Sequence, residues 1–117
     1  MKKVYYLSTC STCKRILKEL DLPSEFEMQD IKTEKLCENK LNEMISMSGD
    51  VASLFSKRSM KYRAMALHER ELDDFEMRSL ILNEYTFLKR PVFVIDDEIF
   101  IGNSKKNIEA VKAKLNS

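Results

Sequence analysis

The hydrophobic pattern changes twice within roughly the first thirty residues, and these changes constrain the fold more than any other feature. Residues 4–7 form a β-branched and aromatic run that predicts a strand. From Ser11 to Leu20 apolar residues recur at helical spacing, and residues 25–30 predict a second strand. A strand, a helix and a strand in so short a segment form a βαβ unit, so we expect the two strands to be parallel.

The final third of the chain predicts a hairpin followed by a helix. Residues 91–95 predict an apolar strand, and residues 98–101 predict a second strand after a turn at Asp96 and Asp97. Ser104 is the predicted N-cap of the last helix. Strands joined by so short a turn pair antiparallel. The element order is therefore that of an α/β, thioredoxin-like (glutaredoxin-like) fold with a mixed four-stranded sheet, in which a helical insert separates a βαβ half from a ββα half.

The insert, at about residues 33–87, is predicted to be helical. Thr33 is the predicted N-cap of its first helix, and Gly49 is predicted to end that helix because glycine readily adopts the left-handed conformation found at helix ends. A later helix is predicted over residues 71–83, with Phe75 on its inner face.

Composition narrows the classes of protein that fit. The chain has 117 residues, with 20 Lys and Arg against 19 Asp and Glu, so one domain over residues 1–117 is expected. A net charge of +1 argues against binding nucleic acid through overall electrostatic attraction. No apolar run is long enough to predict a membrane span, and the N-terminal lysines precede no signal-like stretch, so a cytoplasmic location is expected.

Three cysteines occur, and the first two form a C-x-x-C pair, Cys10 and Cys13, at the predicted strand-to-helix junction. The odd number predicts reduced thiols and not a structural disulfide framework. A zinc site would need two more ligands, and His68 and Cys37 do not supply a second paired spacing, so no metal is predicted. A redox pair is favoured at this junction, with two reduced core cysteines as the alternative. Cys37 lies at helical spacing from Leu41 and is predicted to pack.

The predicted position of Cys10 favours a thiolate. Free N–H groups and the dipole at a helix N-terminus, together with Lys14 and Arg15, are expected to lower the Cys10 pKa below the free value of about 8.5. Cys13 lies one helical turn inward, where it is expected to be more buried and close enough to form a disulfide. We therefore predict that Cys10 attacks and that Cys13 resolves.

Two arginines and a proline complete the candidate site. Arg58 and Arg90 are candidate oxyanion ligands, because the planar donor fork of a guanidinium suits tetrahedral anions. A basic stretch is also typical of solvated surface, and that alternative stays open. Pro91 begins a predicted strand. One interpretation is a cis peptide bond that faces the cysteine loop, and the alternative is a strand that simply begins with proline.

Four segments, in this order, resemble the arsenate reductase family of the thioredoxin-fold type, including its Spx-like branch of RNA-polymerase-binding redox regulators. They are residues 5–14, 55–59, 88–96 and 101–102. The resemblance covers nearly the whole chain and implies a thioredoxin-like core with a helical insert.

The resemblance also implies roles for single residues. It implies that Cys10 is the nucleophile, that Arg58 and Arg90 hold the oxyanion, and that glutathione with glutaredoxin, or thioredoxin, donates electrons without a bound cofactor. The implied function is a cytosolic thiol–disulfide oxidoreductase acting on an arsenate-like oxyanion or a disulfide. The alternative is an Spx-like regulator without turnover, because Cys13 matches that branch and Gly49 lies near its glycine for contacting the RNA polymerase α subunit. Neither function implies direct contact with nucleic acid or membrane.

Overall fold

The computed structural model describes residues 2–116, which divide into two compact units. The first unit combines the chain up to Glu34 with the chain from Arg90 onward, and the second spans Lys35–Lys89. The single domain expected over residues 1–117, with its insert at about 33–87, stays a prediction.

A mixed four-stranded sheet forms the first unit, in the spatial order β2-β1-β3-β4. The strands are β1 (Lys2–Tyr6), β2 (Glu27–Asp30), β3 (Val92–Ile95) and β4 (Glu98–Ile101). β1 and β2 run parallel, with Val4 opposite Met28, whereas β1 with β3 and β3 with β4 run antiparallel. The predicted α/β, thioredoxin-like fold class is therefore confirmed.

Five α-helices lie within the described residues: α1 (Ser11–Leu20), α2 (Glu38–Ser48), α3 (Met60–Ala64), α4 (Asp74–Asn83) and α5 (Lys105–Leu115). α1 and α5 belong to the first unit, and the other three belong to the second. Two short 3-10 helices, Leu67–Glu69 and Tyr85–Phe87, follow α3 and α4. None of the helices in residues 2–116 has the length and apolar content needed to span a membrane.

One apolar cluster joins the sheet of the first unit to both of its helices. Val4 from β1 and Phe93 from β3 are completely buried, and Ile16 of α1 and Val111 of α5 pack in the same cluster. The predicted N-cap Ser104 starts α5 by accepting a hydrogen bond from the backbone N–H of Asn107. Both helices therefore lie against the sheet through the apolar stripes that their sequences contain.

The second unit confirms one predicted helix boundary and corrects another. Gly49 ends α2 with a φ of 94°, a left-handed conformation that glycine adopts without a steric penalty. The predicted N-cap Thr33 is wrong, because α2 begins at Glu38 and its N-cap is Cys37. Thr33 instead lies in a turn, where its N–H and its hydroxyl both donate to the carbonyl of Asp30.

The last helix of the second unit starts later than the sequence pattern predicts. Asp73 is its N-cap and accepts a backbone N–H from the first turn, so α4 begins at Asp74 and not at residue 71. The predicted inner position Phe75 is 76% exposed, and Ile81 is the buried residue of this helix. The predicted inner position of Phe75 is therefore wrong, because the first turn of α4 lies at the surface and only its later turns reach the core.

Candidate active site

The connection from β1 to α1 places Cys10 at the start of a helix, as its sequence position predicts. The backbone N–H of Cys10 donates to the carbonyl of Leu7 at 3.0 Å, which closes a turn through Ser8 and Thr9. Cys10 is the N-cap residue of α1, and its own carbonyl accepts the N–H of Lys14 at 3.1 Å. Its thiol is half-buried beside the free N–H groups that open the helix.

The surroundings of Cys10 lower the pKa of its thiol. Burial by itself raises this pKa, but four neighbouring groups outweigh burial and lower it. They are the backbone N–H of Cys13, the thiol of Cys13, the positive charge of Arg90 and the backbone N–H of Thr12. The thiol does not cap α1 in regular hydrogen-bond geometry, yet these N–H groups lie near enough to stabilise a thiolate. A lowered pKa increases the fraction of thiolate, which is the nucleophilic form.

Cys13 has the opposite environment. Its side chain is completely buried, and burial raises the pKa of this thiol to about 11, with the neighbouring Cys10 acting in the same direction. The backbone N–H of Leu7, which faces the Cys13 sulfur, offsets only part of this effect. Both cysteines are free thiols, and their side chains lie close enough for each to shift the pKa of the other. At neutral pH the Cys13 thiol is therefore protonated.

Arg90 is the predicted arginine that the structure brings to the cysteine pair. Its positive charge lowers the pKa of both Cys10 and Cys13, although the sequence assigned the nearby charge to Lys14 and Arg15, whose side chains are exposed. The Arg90–Pro91 peptide bond is cis, and Pro91 is fully buried immediately before β3.

Arg58 belongs to the second unit, where its side chain is exposed and its backbone N–H donates to the hydroxyl of Ser56 at 3.3 Å. Its placement beside the cysteine pair stays a prediction.

Cys37 is also exposed, so the prediction that it packs is wrong: as the N-cap it precedes the buried face of α2, which starts at Leu41.

A network of polar side chains holds the turn that follows Arg58. Ser59 is the N-cap of α3, accepts the backbone N–H of Lys61 and lies 2.8 Å from the hydroxyl of Thr86. The Thr86 hydroxyl also donates to Glu84 at 3.2 Å, and Glu84 forms an ion pair with Lys61. This network joins the start of α3 to the segment that precedes Lys89 inside the second unit.

Sequence reasoning missed Asp30, which ends β2. Its Oδ1 atom accepts the backbone N–H of Ser8 at 3.2 Å and that of Lys32 at 3.1 Å. One signal was available, because the carboxyl ends of two adjacent parallel strands lie at one edge of a sheet and Asp30 ends the strand next to β1.

Among residues 2–116, His, Cys, Asp and Glu side chains form no group of three or more that could hold a metal ion.

Comparison with known proteins gives consistent matches over nearly the full chain. Residues 5–111 match the model of the ArsC family. The chain is 31% identical over 116 residues to a Haemophilus influenzae protein described only as uncharacterized, and the match covers 97% of this chain and 100% of that one. Both matches span the cysteine pair, Arg58 and Arg90.

Solved structures share the fold. A Staphylococcus aureus COL protein solved by NMR is 29% identical, with a TM-score of 0.74 and coverage of 94% of this chain and 97% of that one. A structure described as an arsenate reductase from Vibrio cholerae is 13% identical, with a TM-score of 0.75 and 95% of both chains covered. A Brucella melitensis protein described as related to arsenate reductase is 22% identical, with a TM-score of 0.71 and coverage of 93% and 92%.

Proposed function

This chain belongs to the ArsC family, and on that premise we propose that it is a cytoplasmic thiol–disulfide oxidoreductase. The Cys10 thiolate attacks a disulfide or an arsenate-like oxyanion, and Cys13 is the resolving thiol. The observation that carries the proposal is the opposite shift of the two cysteine pKa values, lowered for Cys10 and raised to about 11 for Cys13. Because the thiolate is the nucleophile, this difference supports the assignment of roles.

With a disulfide as substrate, the reaction takes two exchanges. The Cys10 thiolate attacks one substrate sulfur, the substrate S–S bond breaks, and one substrate thiolate leaves while a mixed disulfide forms on Cys10. Cys13 then gives its proton to the departing thiolate and attacks the Cys10 Sγ, which releases the second substrate thiolate. The protein is left with a Cys10–Cys13 disulfide. Glutathione with glutaredoxin, or thioredoxin, reduces it again, so no bound cofactor is needed.

With an arsenate-like oxyanion, the two electrons come from the Cys10 sulfur and from a second thiol. The Cys10 thiolate attacks arsenic(V) and displaces water after protonation of one oxygen. A second thiol, Cys13 or glutathione, then gives its proton to an arsenic-bound oxygen and attacks the Cys10 Sγ. A disulfide forms, the S–As bond breaks, and its electron pair leaves with arsenic(III). Arg58 and Arg90 are the proposed oxyanion ligands, because a guanidinium can donate two parallel hydrogen bonds. The name of the Vibrio cholerae neighbour supports this substrate class.

Of the two substrate classes we favour the disulfide. The chain has no arginine after Arg90, so the segments that match the family supply at most two guanidinium groups for an oxyanion. Cys13, by contrast, lies one helical turn from Cys10 and supplies the second thiol that an internal disulfide requires. Pro91, buried immediately before β3, is the proposed supporting residue, because it follows Arg90 directly.

A set of three serine variants tests the proposal. The purified protein is assayed with hydroxyethyl disulfide and with arsenate, each with glutathione plus glutaredoxin and with thioredoxin plus its reductase. Cys10→Ser is expected to abolish turnover, whereas Cys13→Ser is expected to accumulate a mixed disulfide on Cys10 that mass spectrometry detects. Cys37→Ser, which removes the exposed third thiol, is the matched control and retains wild-type activity. Undiminished turnover by Cys10→Ser contradicts the mechanism.

The Spx-like regulator remains the alternative proposal, supported by the Cys10–Cys13 pair and by the exposure of Gly49. Gly49 has a structural role in any case, because its positive φ ends α2. A pull-down with the RNA polymerase α subunit, using the reduced and the oxidised protein, distinguishes the two functions. Binding in one redox state alone, without turnover of any substrate, supports the regulator, and no binding in either state rejects it.

A further inference from the structure

The Asp30 side chain links the ends of two parallel strands. Asp30 is the last residue of β2, and its Oδ1 accepts the N–H of Ser8, which lies in the connection from β1 to α1, at 3.2 Å. The same oxygen accepts the N–H of Lys32 at 3.1 Å, which fixes the direction of the carboxylate. The backbone bond from Ile31 N–H to the Tyr6 carbonyl, 2.9 Å long, holds the two strand ends together at this point.

The turn that Asp30 holds contacts both members of the cysteine pair, Cys10 through its backbone N–H and Cys13 through its sulfur. The carbonyl of Leu7 accepts the N–H of Cys10, and the N–H of Leu7 faces the sulfur of Cys13. Ser8 follows Leu7 directly, so the Asp30–Ser8 bond acts on the residue next to both of these contacts. A displacement of Ser8 therefore moves one hydrogen-bond partner of each cysteine.

The carboxylate is held in its charged form. Hydrogen bonds lower the pKa of Asp30, although burial opposes them. The hydroxyl of Ser8 contributes most, followed by the backbone N–H groups of Ser8 and Lys32. A charged carboxylate accepts stronger hydrogen bonds from N–H groups than a neutral acceptor does. The Ser8 contact is therefore present throughout the neutral pH range.

We propose that Asp30 is a positioning residue, which fixes the turn from Leu7 to Cys10 and thereby sets the reactivity of Cys10 and the stability of the Cys10–Cys13 disulfide. The inference rests on the proposed function, because that function assigns Cys10 as the nucleophile. Its redox readout is the exchange of the two protein thiols with oxidised glutathione, which yields the protein disulfide and two molecules of glutathione.

Two substitutions separate the geometry of the carboxylate from its charge. Asp30→Asn keeps an oxygen acceptor in the same place and removes the charge, whereas Asp30→Glu keeps the charge and displaces the oxygens by one methylene group. Asp73→Asn and Asp73→Glu are the matched controls, because Asp73 also accepts a backbone N–H, at 2.8 Å, but in the second unit. Urea unfolding of each variant reports the stability of the fold separately.

The readouts are the rate of iodoacetamide alkylation of Cys10 at pH 7 and the equilibrium constant of the disulfide in glutathione buffer. Asp30→Glu is expected to change both by about threefold or more, which corresponds to half a pKa unit for the thiolate, with slower alkylation. Asp30→Asn is expected to change both readouts less than Asp30→Glu does, because it keeps an acceptor in the same place, although a neutral oxygen accepts a weaker bond. Both Asp73 variants are expected to leave both readouts unchanged.

Three results would overturn the proposal: a folded Asp30→Glu with wild-type readouts, an Asp30→Asn effect larger than that of Asp30→Glu, or an equal effect of the Asp73 variants. If Asp30→Glu does not fold, Asp30→Ser tests the same contact by shortening the side chain, and wild-type readouts there overturn the proposal equally. Neither readout needs a substrate to be turned over. Failure of the proposed function, which is absence of turnover in the wild-type protein, is therefore distinguishable from failure of this inference.

Discussion

The turn that carries Cys10 and the turn that carries Arg58 are held in different ways. In the first unit, the Cys10 turn is fixed by the strand ends, by its own backbone bond to Leu7 and by the Asp30 carboxylate, above a continuous apolar cluster. In the second unit, the Arg58 turn is held by a backbone bond from the Ser56 N–H to the Phe87 carbonyl, 2.7 Å long, and by the hydroxyl contacts of Ser59 and Thr86. The comparison teaches that the first turn is positioned by a four-stranded sheet, whereas the second is positioned by a single bridge between Phe55 and Leu88 and by the hydroxyl contacts beside it.

The largest expected effect is on the apolar cluster of the first unit. Phe93→Ala removes a completely buried ring from β3 and is expected to lower the free energy of unfolding by about 3–5 kcal/mol. Phe75→Ala in the second unit, where the ring is 76% exposed, is the matched control and is expected to change it by less than about 0.5 kcal/mol. Urea unfolding measures both, and equal losses would contradict the importance of the cluster for the first unit.

The second prediction concerns alkaline pH. The Cys13 thiol has an ordinary pKa of 9.0 and a pKa of about 11 in the folded protein, so the folded state binds more protons than the unfolded state between these values. The free energy of unfolding is therefore expected to fall as the pH rises through this window. Cys13→Ser lacks the thiol and is expected to lose less stability over the same window. Parallel curves for the two proteins, from urea unfolding at each pH, would contradict the raised pKa.

A smaller effect is expected from the polar network of the second unit. Thr86→Val removes the hydroxyl that contacts Ser59 and Glu84 and is expected to lower the free energy of unfolding by about 1–2 kcal/mol, because partly buried polar groups lose a partner. Thr33→Val is the control, since its hydroxyl is exposed and makes a longer bond of 3.4 Å. If the two variants lose the same stability in urea, the network does not hold this turn.

The smallest effect is expected at the surface of both units. Glu19→Gln breaks the ion pair with Lys112 in the first unit, and Glu38→Gln breaks the pair with Arg78 in the second, each with an N–O distance of 2.9 Å. These pairs are solvated and screened by salt, so neither urea midpoint is expected to move measurably. A midpoint shift as large as that of Thr86→Val would show that surface charge also supports the fold.

The sequence predicted those parts of the molecule that periodicity and local turn chemistry determine. The helix start at Ser11, the strand Glu98–Ile101, the cap Ser104 and the helix end at Gly49 all lie where the pattern indicates. Each depends on residues adjacent in the chain, so a single segment contains the information.

The remainder depends on contacts between distant residues. The Asp30–Ser8 bond exists because two strands lie side by side, and the charge that reaches Cys10 comes from Arg90, far along the chain. The helix and strand propensities of single residues and the periodicity of apolar residues do not indicate such pairings, because the pairings arise only when the sheet has formed.

The pH dependence of Cys10 alkylation tests the central claim most directly. The reduced protein is alkylated with iodoacetamide at a series of pH values, both folded and in urea, and the modified peptide that contains Cys10 is quantified by mass spectrometry. The structure predicts that the half-maximal rate of the folded protein lies at a lower pH than that of the unfolded chain, because neighbouring N–H groups and Arg90 stabilise the thiolate. A half-maximal pH in the folded protein equal to or above that of the unfolded chain would contradict the account.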